Sequence, residues 1–214
     1  MKAIIFDMDG LMIDSERLYI QAQQEIAERF NRKMDRKSLW KMMGRKPIES
    51  ITMFVEEMDI PAEPEEVLEM RNKIMLEKLE NDLLPLPGLD HIIDTFHNKL
   101  KLAVATGAQK KFLDLVTDKL GIREKFAVLQ DSDDVEKGKP HPEIYSKACR
   151  RLALQPGQCV VLEDSSNGVL AGKRAGCYVI AVPSEYTKEQ DFSLADSITG
   201  DLFAAARHIA ALGT

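Results

Sequence analysis

Two carboxylates two residues apart, Asp7 and Asp9, follow the short apolar run Lys2-Ala3-Ile4-Ile5-Phe6, and Gly10 comes directly after them. On a chain that is leaving a strand, both can reach one pocket. One can attack an electrophile while the other moves protons. Gly10 allows the sharp backbone turn this needs. The same residues would equally make a plain turn, because Asp and Gly are turn formers. Three further places sit just past an apolar run or in a connecting loop. Thr106-Gly107 follows Leu102–Ala105 and opens a predicted helix, so it offers a hydroxyl and free amides to an anion, or an ordinary Thr N-cap. Lys139 lies in the loop Gly138-Lys139-Pro140-His141-Pro142, where Pro142 can start the next helix; it is either held toward a site or solvated, and His141 reads as exposed loop. Glu163-Asp164-Ser165 follows Val160–Leu162. Adjacent carboxylates at a strand end suit a hard cation such as magnesium, or they cap the following helix.

The elements that would position these residues are legible as pattern. The opening run is a buried strand. From about Ser15 to Leu84 the charged and apolar residues intersperse. Glu16–Phe30 and Glu65–Leu83 are helix-like, with breaks at Gly44, Pro47, Pro61 and Pro64. After Leu84-Pro85-Leu86-Pro87-Gly88, short apolar runs at 102–105, 127–129, 160–162 and 178–182 alternate with helical segments near 89–98, 109–120, 142–154 and 165–176. That alternation predicts a doubly wound parallel sheet with helices on both faces. In such sheets ligands bind beyond the C-terminal strand ends. The expected division is an α/β core at 1–14 and 85–214, Rossmann-like, with a helical domain inserted at 15–84. Ser184–Thr199 reads mostly as loop and Gly200–Leu212 as a closing helix. Gly168, Ala171, Gly172 and Ala175 form a small-residue helix face, read as packing against the sheet.

A chain of 214 residues with 30% charged and 44% hydrophobic residues has ordinary globular composition. A net charge of -6 argues against nucleic acid or an anionic membrane as the main partner. No apolar stretch reaches membrane length, and the N-terminal run is too short for a signal peptide. Cys149, Cys159 and Cys177 form no CxxC pair, and with no secretory signal in view they are expected to be reduced, in a cytoplasmic protein. No feature demands more than a monomer.

Taken together, FDMDG, ATG, GKPHPEIY and LEDSSNG resemble, in order and placement, the four motifs of the haloacid dehalogenase superfamily. The likeness spans essentially the whole chain. DMDGLMIDSERLY and GKPHPEIY are similar to the β-phosphoglucomutase-like branch, in particular to its sugar-phosphate and pseudouridine-5'-phosphate phosphatases. The resemblance implies that Asp7 is a nucleophile forming an aspartyl phosphate and that Asp9 is the general acid and base. Asp7, the Asp9 carbonyl, Asp164 and, directly or through water, Glu163 would hold magnesium. Lys139 would neutralise Asp7 and the phosphate, while Thr106 and the Gly107 amide would hold phosphate oxygens. The substrate implied is a small phosphorylated metabolite, with residues 15–84 as a cap that selects the leaving group. Two other readings compete: a hexose phosphate mutase, and a non-catalytic homologue that keeps the fold. The mutase is weakened by Tyr19 and Pro47, which stand where that branch's mutases align a cap histidine and a cap arginine. The second is weakened because Asp7, Asp9, Lys139 and Asp164 are all present. Tyr19, Gly44-Arg45-Lys46, Arg71 and Lys73 are the expected substrate contacts, although a solvated helix face accounts equally for Arg71 and Lys73.

Overall fold

The computed structural model describes residues 1–34 and 47–213; Gly44-Arg45-Lys46 lies outside the described residues. The chain divides into two compact units, Met1–Asp14 with Leu84–Thr214, and Ser15–Leu83.

The first unit is built on six parallel strands: β1 (Ala3–Phe6), β2 (Lys101–Ala105), β3 (Val128–Gln130), β4 (Cys159–Glu163), β5 (Tyr178–Ala181) and β6 (Ser197–Ile198). Their spatial order is β3-β2-β1-β4-β5-β6, so the winding reverses between β1 and β4. That is the crevice where open α/β sheets take ligands. Phe6 pairs with Val104 on one side and Leu162 on the other. Asp7 and Glu163 therefore leave the sheet at one level, with Thr106 a residue further on.

On one sheet face, Ala3, Ile5, Ala103, Ala105, Val161 and Val179 share a core with Ile144, Tyr145, Ala148 and Cys149 of α6 (residues 143–151) and with Val169 and Ala171 of α7 (166–175). The alternate residues Ile4, Phe6, Leu102, Val104, Val160 and Leu162 are equally buried, so the strands read as continuous apolar runs. Phe6 meets Phe126 edge-on at 5.8 Å between ring centroids. Helices α4 (89–96), α5 (110–119) and α8 (202–211) complete the unit. The three cysteines are free and buried, with Cys149 Sγ 3.7 Å from Cys177 Sγ.

Three expectations are corrected here. The helix after β2 spans Lys110–Lys119, matching the segment expected near 109–120, so Thr106-Gly107 precedes it rather than opening it; Asp133 Oδ2 accepts from the Lys110 amide at 3.1 Å. β6 lies in the stretch read as loop; with two residues it is too short to leave a periodic signature. Pro47, read as a break, is the first residue of a helix, where its missing N–H costs no hydrogen bond.

The second unit is helical in its described residues: α1 (Ser15–Arg29), α2 (Pro47–Glu57) and α3 (Pro64–Asp82). Leu18, Ala22 and Ile26 bury one stripe of α1 at a spacing of four. Arg17 Nη2 donates to the Asp82 carbonyl at 2.8 Å, closing the C-terminus of α3. Arg71 is buried, with its guanidinium 5.4 Å from the Tyr19 ring centroid, so the solvated-face reading holds only for exposed Lys73. Among the described residues no helix is long and apolar enough to cross a membrane.

Candidate active site

The Asp7 amide donates to the Leu162 carbonyl at 3.0 Å, prolonging the ladder one step past β1. The chain then turns back on itself: the Met8 carbonyl accepts from the Met12 amide at 2.9 Å, and the Gly10 amide donates to the Ile13 carbonyl at 3.1 Å. Met8, Leu11, Met12 and Ile13 are buried, which anchors the turn. Gly10 has φ +74, and a Cβ there would lie 2.3 Å from Asp164 Oδ2. Glycine is thus required twice, for its backbone conformation and for room beside a carboxylate.

Asp7, Glu163 and Asp164 each bring a carboxylate oxygen to within 4.8 Å of the others, and all three are buried. Lys139 Nζ lies 2.6 Å from Asp7 Oδ1 and 2.5 Å from Glu163 Oε1. Burial pushes the Asp7 carboxyl up to about 7; the charges of Glu163 and Asp9 add to this, and Lys139 pulls only partly the other way. Burial alone would lower Lys139, but Asp7 and Glu163 more than reverse it and keep the ammonium charged. Three buried carboxylates crowded at one point, all oxygen donors, fit a hard divalent cation such as magnesium.

Thr106 Oγ1 donates to Asp9 Oδ2 at 3.3 Å and accepts from the Ala108 amide at 3.0 Å. Gly107 is exposed, and a Cβ there would meet nothing within 4 Å. The loop that carries Lys139 is tied down by Glu143, whose carboxylate accepts from the Glu136 and Lys137 amides at 3.2 and 3.0 Å. The Lys147 ammonium and these two amides hold the Glu143 carboxyl down at about 2. Pro142 sits at the N-cap of α6, and His141 is exposed, as expected.

Sequence reasoning missed what surrounds Glu163. Tyr145 OH donates to its Oε1 at 2.6 Å, and the Ser165 amide and hydroxyl donate to its Oε2 at 3.1 and 3.0 Å. Burial, with the neighbouring Glu163 charge, keeps the Tyr145 phenol protonated, well above its usual range. A Cβ on Gly168 would lie 1.7 Å from Glu163 Oε1. The small-residue face read as packing is therefore only partly so: Gly172 approaches Val179, but Gly168 makes room for a carboxylate. One signal was available, because a tyrosine on an apolar helix face needs a partner for its hydroxyl.

The model of the haloacid dehalogenase-like hydrolases matches residues 4–182. A (DL)-glycerol-3-phosphatase of Arabidopsis thaliana is 36% identical, over 93% of this chain and 86% of its own. A phosphorylated carbohydrates phosphatase of Thermotoga maritima is 34% identical, over 82% of each. CbbY of Rhodobacter sphaeroides, solved in complex with phosphate, is 28% identical with a TM-score of 0.84 over 94% of each chain. The protein belongs to the haloacid dehalogenase-like hydrolase family. Within it, the protein is a phosphatase of the β-phosphoglucomutase-like branch.

Proposed function

We propose that this phosphatase is magnesium-dependent and hydrolyses a small phosphorylated metabolite, of the sugar phosphate or nucleoside monophosphate type, through an aspartyl phosphate on Asp7. The observation that carries this is the buried Asp7 carboxylate, with Lys139 2.6 Å away, inside the cluster it forms with Glu163 and Asp164. An Asp7 oxygen attacks phosphorus as the bond to the leaving oxygen breaks. Asp9 gives its proton to the departing alcohol, then takes one from the water that cleaves the Asp7–phosphorus bond and releases inorganic phosphate. Thr106, hydrogen-bonded to Asp9, orients that carboxyl. The Lys139 ammonium offsets the repulsion between Asp7 and an incoming phosphate dianion. The Gly107 amide and the Thr106 hydroxyl are assigned to phosphate oxygens. Asp7, the Asp9 carbonyl, Asp164 and, directly or through water, Glu163 are assigned to the magnesium ion, which when bound supplies charge neutralisation at the transferring phosphoryl group.

The helical segment 15–84 is assigned the role of a cap that selects the leaving group. The substrate class is supported by the phosphatase relatives at 36% and 34% identity. Three free buried thiols support a reducing, cytoplasmic setting. The test is p-nitrophenyl phosphate hydrolysis by chelator-treated protein, before and after magnesium is restored, followed by a panel of sugar phosphates, nucleoside monophosphates and glycerol phosphate. Activity should vanish on chelation and return with magnesium. Full activity after rigorous metal removal would end this reading.

A further inference from the structure

Glu163 is fully buried, and each of its oxygens has two donors. Oε1 is shared by Lys139 Nζ and Tyr145 OH, while Oε2 is held by the amide and hydroxyl of Ser165. Tyr145 also touches Lys139 directly: the ammonium lies 5.1 Å from its ring centroid. The phenol thus meets both partners of one ion pair, its hydroxyl on the acid and its ring face on the base. A phenylalanine would fill the same core volume between Ile144 and Ala148, so packing alone does not call for the oxygen.

We propose that Tyr145 is a positioning residue for phosphoryl transfer: its hydroxyl shares the charge of Glu163 Oε1, so that Lys139 is not drawn wholly to Glu163 and stays on Asp7. The inference rests on Asp7 being the nucleophile. Without the hydroxyl, Lys139 is the one donor left to Oε1 among the described residues, and the ammonium shifts from Asp7 toward Glu163. The transition state loses more than the bound substrate does, because charge builds on the transferring group as Asp7 attacks.

The experiment measures kcat and KM for p-nitrophenyl phosphate with magnesium in wild type, Y145F, E163Q and the double variant, with melting temperatures alongside. Y145F should melt within a few degrees of wild type. Its kcat should fall about tenfold, the scale of one hydrogen bond to a charged group, with KM nearly unchanged. On the E163Q background the same change should have little further effect, because the charge that the hydroxyl shares is gone. Equal fold losses on both backgrounds, or a Y145F kcat near that of wild type, overturns the proposal. So does a Y145F chain that does not fold, since the hydroxyl would then serve stability. A wild type inactive with magnesium would sink the functional reading separately. In that event, or if E163Q is too slow to measure, crystal structures of wild type and Y145F decide. Lys139 Nζ withdrawn from Asp7 supports the positioning role, and superimposable Lys139 and Glu163 side chains refute it.

Discussion

Asp7 and Asp9 are the same residue type two positions apart, and their surroundings separate them. Asp7 is buried against Lys139, while Asp9 is half-buried with its carboxylate within reach of the Thr106 hydroxyl. A group clamped to a cation can attack but is poorly placed to trade protons. A more open carboxyl can do so. Asp7→Asn should therefore abolish both turnover and covalent labelling. Asp9→Asn should keep the nucleophile but slow hydrolysis by about 10²–10⁴-fold, the usual worth of general acid–base help. Its defect should be smaller in the labelling step for p-nitrophenyl phosphate than for an alkyl phosphate, because nitrophenolate leaves without a proton. Rapid-quench mass spectrometry of both variants measures this. Phosphate found on Asp9, or wild-type turnover by Asp7→Asn, would overturn the assignment.

Helix α7 shows how an element can be read correctly and its purpose missed. Ser165 caps it, accepting from the Gly168 amide at 3.1 Å while its hydroxyl donates to Glu163. The spacing of Gly168 and Gly172 announces a close approach, but not to what. Propensity alone would make Gly168→Ala stabilising by about 1 kcal/mol. Against that stands a Cβ 1.7 Å from one oxygen of a carboxylate that four donors hold in place. Sterics should win, since overpacking costs about 1–3 kcal/mol and the overlap is deep. Gly168→Ala is expected to lower the melting temperature and to reduce kcat at least tenfold. Gly157→Ala, where a Cβ meets nothing within 4 Å, should do neither. Calorimetry and steady-state rates on the two variants test this, and a fully active, stable Gly168→Ala would show that Glu163 can move freely.

At the scale of the whole molecule, the chain leaves the α/β unit after Asp14 and returns at Leu84, and these two ends are joined. The Asp14 amide donates to the Leu84 carbonyl at 3.0 Å, and the Leu86 amide to the Met12 carbonyl at 2.9 Å. With its ends held together and its own sheet and core, the unit should survive replacement of 15–83 by a short Gly/Ser linker. Circular dichroism and urea titration of that shortened chain should show one cooperative transition; a chain without one would show that the helical unit is part of the folding core. Strand and helix alternation, the charged motif positions Asp7, Asp9, Lys139, Glu163 and Asp164 and the family were all legible along the chain, because each is written in local periodicity or contiguous motifs. Other features were not. The two-residue β6 falls below any periodic signal, and Thr106-Gly107 does not open the helix after β2, whose Lys110 amide finds its acceptor in Asp133, distant in sequence. The sequence by itself determined which residues could do chemistry and on which strand ends they stand. Only the tertiary structure decided that Glu163 is enclosed by Tyr145, Ser165, Lys139 and Gly168, because a buried carboxylate must find its donors wherever the fold brings them within about 3 Å.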